Sequence, residues 1–242
     1  MLRIQKFLAN QGILSRREAD AAIRDKRVKI NDELAALGQV LEPGDVVSVD
    51  GRVIVHKLIK SQVFLYNKPL GKICSLNPDK NYRSIWEDFP VINSGKWISI
   101  GRLDVNSSGL LLVTSDGDLA NKMMHPSSNL ERVYRVRAMG RCDKEIIDKM
   151  IKGVMLDDGK ANFKKAKLIN IKKEGLNQWY EVTVTSGRYR MVRRIFEAVG
   201  LQVNRLIRVR FGPLILPKEL KPGKVMMLDE IDINILKQKF RQ

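Results

Sequence analysis

The segment from Gly101 to Leu112 places one carboxylate and several small polar residues directly before an apolar run. It reads Gly-Arg-Leu-Asp-Val-Asn-Ser-Ser-Gly-Leu-Leu-Leu, and Asp104 is its acidic residue. A loop held by the strand that follows it is a common place for catalytic groups, which makes Asp104 a candidate nucleophile or base. Asp, Asn, Ser and Gly also form ordinary turns, so the segment alone leaves both interpretations open.

A cluster of arginines follows a strand-like segment that ends near residue 185. Four of them fall within seven positions: Arg188, Arg190, Arg193 and Arg194. The spacing of the apolar residues after Gly187 predicts a helix over 191–199. Guanidinium groups favour bidentate pairing with phosphate or carboxylate, and the alternative interpretation is a solvated helix face.

The first 60 residues predict two short helices followed by a small set of strands. Ser15, with Glu18 three positions later, predicts a capping box at the start of the second helix. Basic residues crowd onto that helix and the turn after it: Arg16, Arg17, Arg24, Lys26, Arg27 and Lys29. Such a face can bind RNA phosphates, although many charge runs are simply solvated.

These features together resemble the RsuA/RluB family of ribosomal RNA pseudouridine synthases. The segment 101–112 resembles the catalytic motif of that family. Tyr-Asn-Lys-Pro-Leu-Gly at 66–71 resembles the strand and loop before it, and Arg-Val-Tyr-Arg-Val at 132–136 resembles the tyrosine motif. The likeness is also close over 175–212. Residues 4–31 resemble an S4-type RNA-binding domain, so the likeness covers almost the whole chain.

The resemblance implies a catalytic site formed by Asp104, Tyr134 and Arg193. Asp104 is expected to act as nucleophile or base at the sugar, Tyr134 to stack under the uracil, and Arg193 to pair with Asp104. Arg102 is expected to enter the RNA as the uridine leaves, and Leu206 to form an apolar wall. The full set expected to contact RNA or substrate is Arg102, Leu206, Lys68, Arg188, Arg190, Arg194, Arg16, Arg17 and Arg27.

Three positions depart from the family pattern. Ser186 stands where an acidic residue is usual, Met191 stands where Gln or Glu is usual, and Tyr189 replaces a common Asn. These departures bear on the substrate site, because the three residues of the implied catalytic site are unchanged.

The elements that must position these residues predict an α+β fold. A small S4-like domain is expected over 1–60, and a catalytic domain with a mixed, largely antiparallel sheet over 61–235. A short basic tail, expected to be poorly ordered, covers 236–242. Strands are predicted at 63–66, 110–114, 133–137 and 179–185, and further helices at 119–124 and 144–152.

Composition narrows the class of partner. The formal net charge is +17 and apolar residues make up 44% of the chain, which predicts a folded protein with a polyanionic partner. Two separated cysteines, Cys74 and Cys142, and two histidines, His56 and His125, argue against a zinc site or a disulfide framework. No apolar run is long enough to span a membrane. We therefore expect a cytoplasmic monomer without metal.

The implied function is conversion of a specific uridine to pseudouridine in ribosomal RNA, with 23S (large-subunit) RNA as the favoured substrate. The rearrangement gains or loses no atoms and no electrons, so no cofactor is expected. Three alternatives stay open: a non-catalytic RNA-binding factor in ribosome assembly, a synthase acting on 16S RNA, and a hydrolase. The hydrolase would need a second positioned carboxylate or a metal cluster.

Overall fold

The computed structural model describes residues 2–55, 61–77, 81–92, 95–170 and 177–239. Two compact units are formed. The first comprises Met1–Gln62, Pro90–Ile98 and Ser115–Gly117, and the second comprises Val63–Phe89, Ser99–Thr114 and Asp118–Gln242. The sequence did not predict that the two short later segments would join the first unit. His56 and the start of the 175–212 motif lie outside the described residues.

The described residues of the first unit form two helices and short strands. The helices are α1 (Ile4–Asn10) and α2 (Arg16–Arg24), and the strands are β1 (Leu2–Arg3), β2 (Val28–Ile30), β3 (Glu33–Leu34), β4 (Val40–Leu41), β5 (Val47–Val49) and β6 (Arg52–Ile54). The order β3-β2-β5-β6 forms an antiparallel sheet, and β1 pairs with β4. The predicted capping box is confirmed: the Glu18 main-chain N–H donates to the Ser15 hydroxyl at 3.2 Å, and the Ser15 N–H donates to the Glu18 carboxylate.

The apolar faces of both helices pack onto this small sheet. The buried set is Ile4, Phe7, Leu8, Ala19, Ala22, Ile23, Val28, Ile30, Ala35, Val47 and Val49. The basic side chains of α2 are therefore directed away from this core, and Arg16 and Arg17 are both exposed.

The second unit is built on one large mixed sheet. Its strands, with two short strand pairs beside it, are β7 (Val63–Lys68), β8 (Lys72–Ile73), β9 (Arg83–Ser84), β10 (Ile98–Ile100), β11 (Ser108–Thr114), β12 (Arg132–Met139), β13 (Val154–Leu156), β14 (Gly159–Ala161), β15 (Lys165–Asn170), β16 (Asn177–Val184), β17 (Gln202–Phe211), β18 (Leu214–Ile215) and β19 (Val225–Met227). The main order is β15-β16-β12-β17-β11-β7-β19, with β10 beside β11 and β18 beside β17. Along that order every neighbouring pair is antiparallel except β11 with β17. The predicted mixed, largely antiparallel sheet is confirmed.

Within the described part of the chain, four α-helices accompany this sheet. They are α3 (Gly117–Met124), α4 (Lys144–Lys152), α5 (Met191–Glu197) and α6 (Glu230–Lys239); short 3-10 helices cover Ile85–Asp88 and Pro126–Ser128. The bounds of α4 are those predicted. Leu236–Lys239 of the predicted basic tail continue α6, and Leu236 is only 2% exposed. Residues 240–242 lie outside the described part of the chain.

The parallel pairing of β11 with β17 depends on a glycine. Gly109 has φ +98°, and a β-carbon there would lie 2.3 Å from the main-chain oxygen of Arg208. Any side chain would therefore push the two strands apart. Gly109 thus fixes the strand that directly follows the Asp104 loop.

Candidate active site

A buried lysine binds the main chain of the loop formed by residues 101–107. Lys68 is the last residue of β7 and is completely buried. Its ammonium group donates to the main-chain oxygens of Pro69 at 3.0 Å, Asp104 at 3.1 Å and Ser107 at 2.9 Å. The Ser107 N–H also donates to the Asp104 oxygen at 3.0 Å. Two carbonyls of the loop are therefore held by one fixed charge.

Three other donors hold the remaining carbonyls between Leu103 and Ser107. The Cys74 thiol donates to Leu103 O at 3.5 Å, the Gly71 N–H to Val105 O at 2.9 Å, and the Arg193 guanidinium to Asn106 O at 2.7 Å. Every carbonyl from 103 to 107 thus has a partner within the protein. Because the main chain is fixed at each step, the direction in which the Asp104 side chain leaves the loop is fixed as well.

The position of Lys68 therefore differs from the one expected from the sequence. It was predicted to contact RNA, but a side chain with 0% exposure cannot reach a phosphate. Burial lowers the pKa of Lys68 to about 8, while Cys74 and Asp104 act in the opposite direction. From this buried position, Lys68 supports the main chain of the Asp104 loop.

Arg193 reaches the same loop from α5. It is 7% exposed, and its guanidinium donates to Val203 O at 2.9 Å as well as to Asn106 O. Burial lowers the pKa of Arg193, nearby Arg190 lowers it further, and Asp104 raises it. Asp104 therefore lies within electrostatic range of Arg193.

The predicted ion pair between Arg193 and Asp104 is not formed in this structure. Within the described ranges, the partners of the guanidinium are the two main-chain carbonyls, and no hydrogen bond reaches the Asp104 carboxylate. Nη1 and Nη2 of Arg193 donate to β17 and to the loop two residues beyond Asp104, and its buried Nε has no hydrogen-bond partner among the described residues. Arg193 is consequently positioned as a support of the loop.

Tyr134 lies in a row of residues that crosses four adjacent strands. Tyr134 on β12 is opposite Arg208 on β17, Arg208 is opposite Gly109 on β11, and Gly109 is opposite Lys68 on β7. Adjacent strands are about 4.8 Å apart. The tyrosine, 8% exposed, thus shares a row with the lysine that holds Asp104. Sequence motifs separated by tens of residues meet in one part of the sheet.

Leu206, Arg132 and Arg208 lie in or beside this row, and neither arginine was among the predicted site residues. Leu206 is 5% exposed and is opposite Val136, two residues from Tyr134 along β12. Arg208 is 2% exposed and donates from Nε to Leu110 O at 2.7 Å. The guanidinium carbons of Arg132 and Arg208 lie 5.0 and 5.1 Å from the centre of the Phe211 ring. A period of two along 202–211 would have placed Arg208 on the buried face with Leu206, but that strand was not predicted.

Two of the four clustered arginines are bound to an acidic residue. Arg188 and Arg194 each bind both carboxylate oxygens of Asp158, in the turn between β13 and β14. Arg188 also donates to Lys160 O at 2.8 Å and to Gly159 O at 2.9 Å. Both were predicted to contact RNA or substrate, but in this structure they bind Asp158 and so connect α5 and the loop before it to the hairpin.

The remaining residues that were predicted to contact RNA differ in exposure and in whether a carboxylate already binds them. Arg102 is exposed on the Asp104 loop, and Arg190, half-buried, caps the start of α5 with φ 47°. In the first unit Arg16 and Arg17 are exposed. Arg27 instead binds Asp50 with both arms of its fork, at 2.8 and 2.6 Å.

Two further properties of the described residues concern ligands and membranes. Within the ranges that the structure describes, no group of three or more His, Cys, Asp or Glu side chains is placed to hold a metal ion. No described helix combines the length and apolar character needed to cross a bilayer.

Comparison with known proteins gives matches over nearly the whole chain. Residues 62–198 match the family described as RNA pseudouridylate synthase, and residues 2–47 match the S4 domain. The chain is 41% identical over 243 residues to "Ribosomal large subunit pseudouridine synthase B" of Pseudomonas aeruginosa, covering 98% of this chain and 62% of that protein. It is 44% identical over 247 residues to the protein of the same name from Buchnera aphidicola subsp. Baizongia pistaciae, covering 98% and 97%. A crystal structure described as pseudouridylate synthase matches with TM-score 0.66 and 31% identity, covering 98% of this chain and 100% of that one.

Proposed function

Because this chain belongs to the RNA pseudouridylate synthase family, we propose that it isomerises a uridine of large-subunit ribosomal RNA to pseudouridine. The choice of RNA is supported by relatives named for the large subunit that match 98% of the chain. The S4 match over residues 2–47 adds an RNA-binding unit. The observation that carries the proposal is the Asp104 loop, whose carbonyls from 103 to 107 are all held by the protein.

The proposed reaction breaks the N1–C1′ bond, turns the base and joins C5 to C1′. The proton of C5 leaves, and N1 gains a proton, so atoms and charge balance without redox chemistry. Asp104 acts at the sugar, where a carboxylate can add to C1′ or take a proton. The buried Lys68 and Arg193 side chains hold the main chain of the loop, which favours one direction of the Asp104 carboxylate toward the sugar. Both roles of Asp104 are compatible with that geometry.

The neighbouring residues have separate tasks in this proposal. Tyr134 supplies an aromatic ring on the strand row that leads to the loop and stacks on the target uracil, whose N1–C1′ bond lies next to Asp104. Arg193 and Lys68 are positioning residues, because their charged groups bind the main chain of the loop. Arg102, exposed on that loop, occupies the space that the flipped uridine leaves in the RNA.

The proposal also includes the oligomeric state, the location and the cofactor requirement of the chain. The chain acts as a monomer in the cytoplasm, where ribosomal RNA is assembled. The isomerisation transfers no electrons to or from the substrate, so the residues above carry it without a cofactor or metal.

The first test is the Asp104→Asn variant, which removes one charge and little volume. We expect it to release no tritium from RNA carrying 5-tritiated uridine, while its affinity for that RNA stays within about twofold. Asp148→Asn, an exposed carboxylate on α4, is the matched control and should retain the wild-type rate. Substantial turnover by Asp104→Asn would exclude Asp104 as the reacting group.

The second test identifies the RNA. Pseudouridines are mapped in ribosomal RNA from cells with and without the protein, and from cells that carry Asp104→Asn. We expect one position of the large-subunit RNA to lose its modification in both mutant strains. Loss at a small-subunit position would replace the proposed substrate, and unchanged maps would favour a non-catalytic assembly factor.

A further inference from the structure

Adjacent strands of the large sheet carry a row of two exposed arginines with a tryptophan at one end. Across the order β16-β12-β17, Trp179 is opposite Arg137, and Arg137 is opposite Arg205. Residues opposite each other in antiparallel strands point to the same face of the sheet, with β-carbons about 5 Å apart. Two arginines and an indole ring therefore stand side by side on one face.

The neighbouring row extends the same surface. Arg135 is two residues from Arg137 on β12, and it is opposite Glu181 on β16. Glu181 is in turn opposite Lys167 on β15. With a period of two along each strand, all of these side chains belong to the face that holds Trp179. We call the surface formed by Arg135, Arg137, Arg205 and Trp179 the basic sheet face.

The basic sheet face is opposite to the face that carries the candidate active site. Along β12, Tyr134, Val136 and Ala138 are buried, whereas Arg135 and Arg137 between them are exposed. Along β17, Leu206 is buried and Arg205 is exposed. A ligand on the basic sheet face therefore does not occupy the position of the target uracil beside Tyr134.

The acidic residues near this surface are already paired. The Glu181 carboxylate binds Lys167 at 2.8 Å. Glu131 binds Lys164 at 2.8 Å and Arg210 at 2.7 Å. In the part of the chain that the structure describes, Arg135, Arg137 and Arg205 form no ion pair with any carboxylate.

Such an arrangement is unfavourable for a sheet surface that faces only water. Like charges directly opposite each other on neighbouring strands destabilise the pair, and Arg137 and Arg205 are in that position. A bound polyanion turns this repulsion into a net attraction, because its phosphates bind between the two guanidinium groups. Trp179 beside them offers a flat ring on which an unpaired base can stack.

We propose that the basic sheet face is a second RNA-binding surface, which holds a segment of the substrate RNA away from the reacting uridine. Arg135, Arg137 and Arg205 bind phosphates, and Trp179 stacks on one base of a single-stranded stretch. The identity of that RNA as ribosomal rests on the proposed function, but the binding of RNA to this face does not. The surface adds affinity and orientation and takes no part in the chemical step.

The first experiment compares two double variants of the full chain. Arg137→Gln/Arg205→Gln removes two cations from the basic sheet face, and Lys149→Gln/Lys152→Gln removes two exposed cations from α4 as the matched control. Binding to a full-length large-subunit ribosomal RNA transcript is titrated between about 0.05 and 0.3 M salt. The arginine double variant should lower the magnitude of the salt slope by about 1.4–1.8, the value for two phosphates that the protein no longer neutralises. The lysine double variant should leave the slope unchanged.

A third double variant and a rate measurement separate charge from folding. Arg137→Lys/Arg205→Lys keeps both charges and should keep the wild-type slope. The single-turnover rate of tritium release at saturating enzyme should be the same for wild type and both arginine double variants, because no residue of the active-site face is changed. The melting temperature of Arg137→Gln/Arg205→Gln should be equal to or above that of wild type, since a like-charge pair is removed.

The second experiment uses Trp179 as a reporter. The chain has three tryptophans, so Trp86→Phe/Trp97→Phe leaves Trp179 as the only indole. Addition of a single-stranded oligouridylate should quench its fluorescence, and Arg137→Gln/Arg205→Gln in the same background should shift that titration to higher RNA concentration.

The salt slope and the Trp179 fluorescence decide whether the basic sheet face binds RNA. An unchanged salt slope for Arg137→Gln/Arg205→Gln, or Trp179 fluorescence that RNA does not alter, overturns the second RNA-binding surface. If wild type binds RNA through this face but forms no pseudouridine, the proposed function fails while this inference stands.

Discussion

The ammonium group of Lys68 binds the main-chain oxygen of Asp104 at 3.1 Å and that of Ser107 at 2.9 Å. The lysine is completely buried, and it lies on the same strand row as Tyr134. A charge placed inside the protein and bonded only to main-chain carbonyls stabilises one conformation of the loop. Lys68 thus connects β7 to the direction of the Asp104 carboxylate.

Lys68→Met should lower the single-turnover rate by roughly 100-fold, the decrease expected when a catalytic group moves by about 1 Å. Methionine fills a similar volume but donates no hydrogen bond, so the carbonyls of Asp104 and Ser107 lose a donor. RNA affinity should be unchanged, because Lys68 does not reach the surface. Lys122→Met, at an exposed position of α3, is the control. Equal rates for the two variants would mean that the loop does not depend on Lys68.

The lowered pKa of Lys68 predicts how stability depends on pH. Its pKa is about 8 in the folded chain and about 10.4 in the unfolded chain. Between these values the unfolded state binds more protons, so the contribution of Lys68 to the unfolding free energy rises with pH from about 8 to about 10.4. Urea unfolding of wild type and Lys68→Met at pH 7, 8, 9 and 10 measures this difference. A constant difference across that range would contradict the lowered pKa.

Much of the local structure could be predicted because its causes are local. The Ser15–Glu18 capping box and the bounds of α4 depend on neighbours within a few residues. The three motifs around Asp104, Tyr134 and Arg193 were placed in one site by resemblance, and the strand register now brings the first two to one part of the sheet.

The roles of individual cations could not be predicted from the sequence. Lys68 was expected to contact RNA or substrate because of the family resemblance, and a lysine is almost never fully buried without partners. Its partners are main-chain atoms, which carry no residue-type signal. Arg188 and Arg194 were assigned to RNA because their acceptor, Asp158, is 30 or more residues away. Strand β17 was also missed, and with it the position of Arg208.

Asp158→Asn should reduce stability at neutral pH and have no effect in acid. Arg188, followed by Arg194, holds the pKa of the Asp158 carboxyl well below its usual range. Its contribution to stability is therefore present above the unfolded pKa, near 4, and is lost as pH falls through the lower folded pKa. Melting temperatures of wild type and Asp158→Asn should differ at pH 7 and converge toward pH 2. Asp157→Asn, the exposed neighbour, should match wild type at every pH.

Arg16→Gln/Arg17→Gln should weaken RNA binding and lower the magnitude of the salt slope by about 0.7–0.9 for each phosphate that is no longer bound. Both side chains are exposed on α2. Arg27→Gln should change the slope less, because Asp50 already binds that guanidinium with both carboxylate oxygens. Filter-binding titrations at several salt concentrations compare the variants. An equal decrease of slope per charge would show that Arg27 leaves Asp50 to bind RNA.

Arg193 provides the test that separates support of the catalytic loop from contact with RNA. Arg193→Ala removes the donor to Asn106 O and Val203 O, so the single-turnover rate at saturating enzyme should fall by roughly 100-fold or more. Arg193→Lys keeps the charge but cannot reproduce the two-armed geometry, and should give an intermediate rate.

The neighbouring arginines supply the controls for Arg193. Arg190→Ala, which removes a half-exposed cation at the start of α5, should reduce affinity and leave the rate of the chemical step unchanged. Arg194→Ala removes the ion pair between Arg194 and Asp158. It should lower the melting temperature and have little effect on RNA affinity or on the rate. Rate, affinity and melting temperature measured on all four variants therefore assign a different dominant defect to each position. If the three alanine variants lose only affinity, and to similar degrees, Arg193 is a phosphate contact and the Asp104 loop is held by Lys68, Cys74 and the Gly71 N–H.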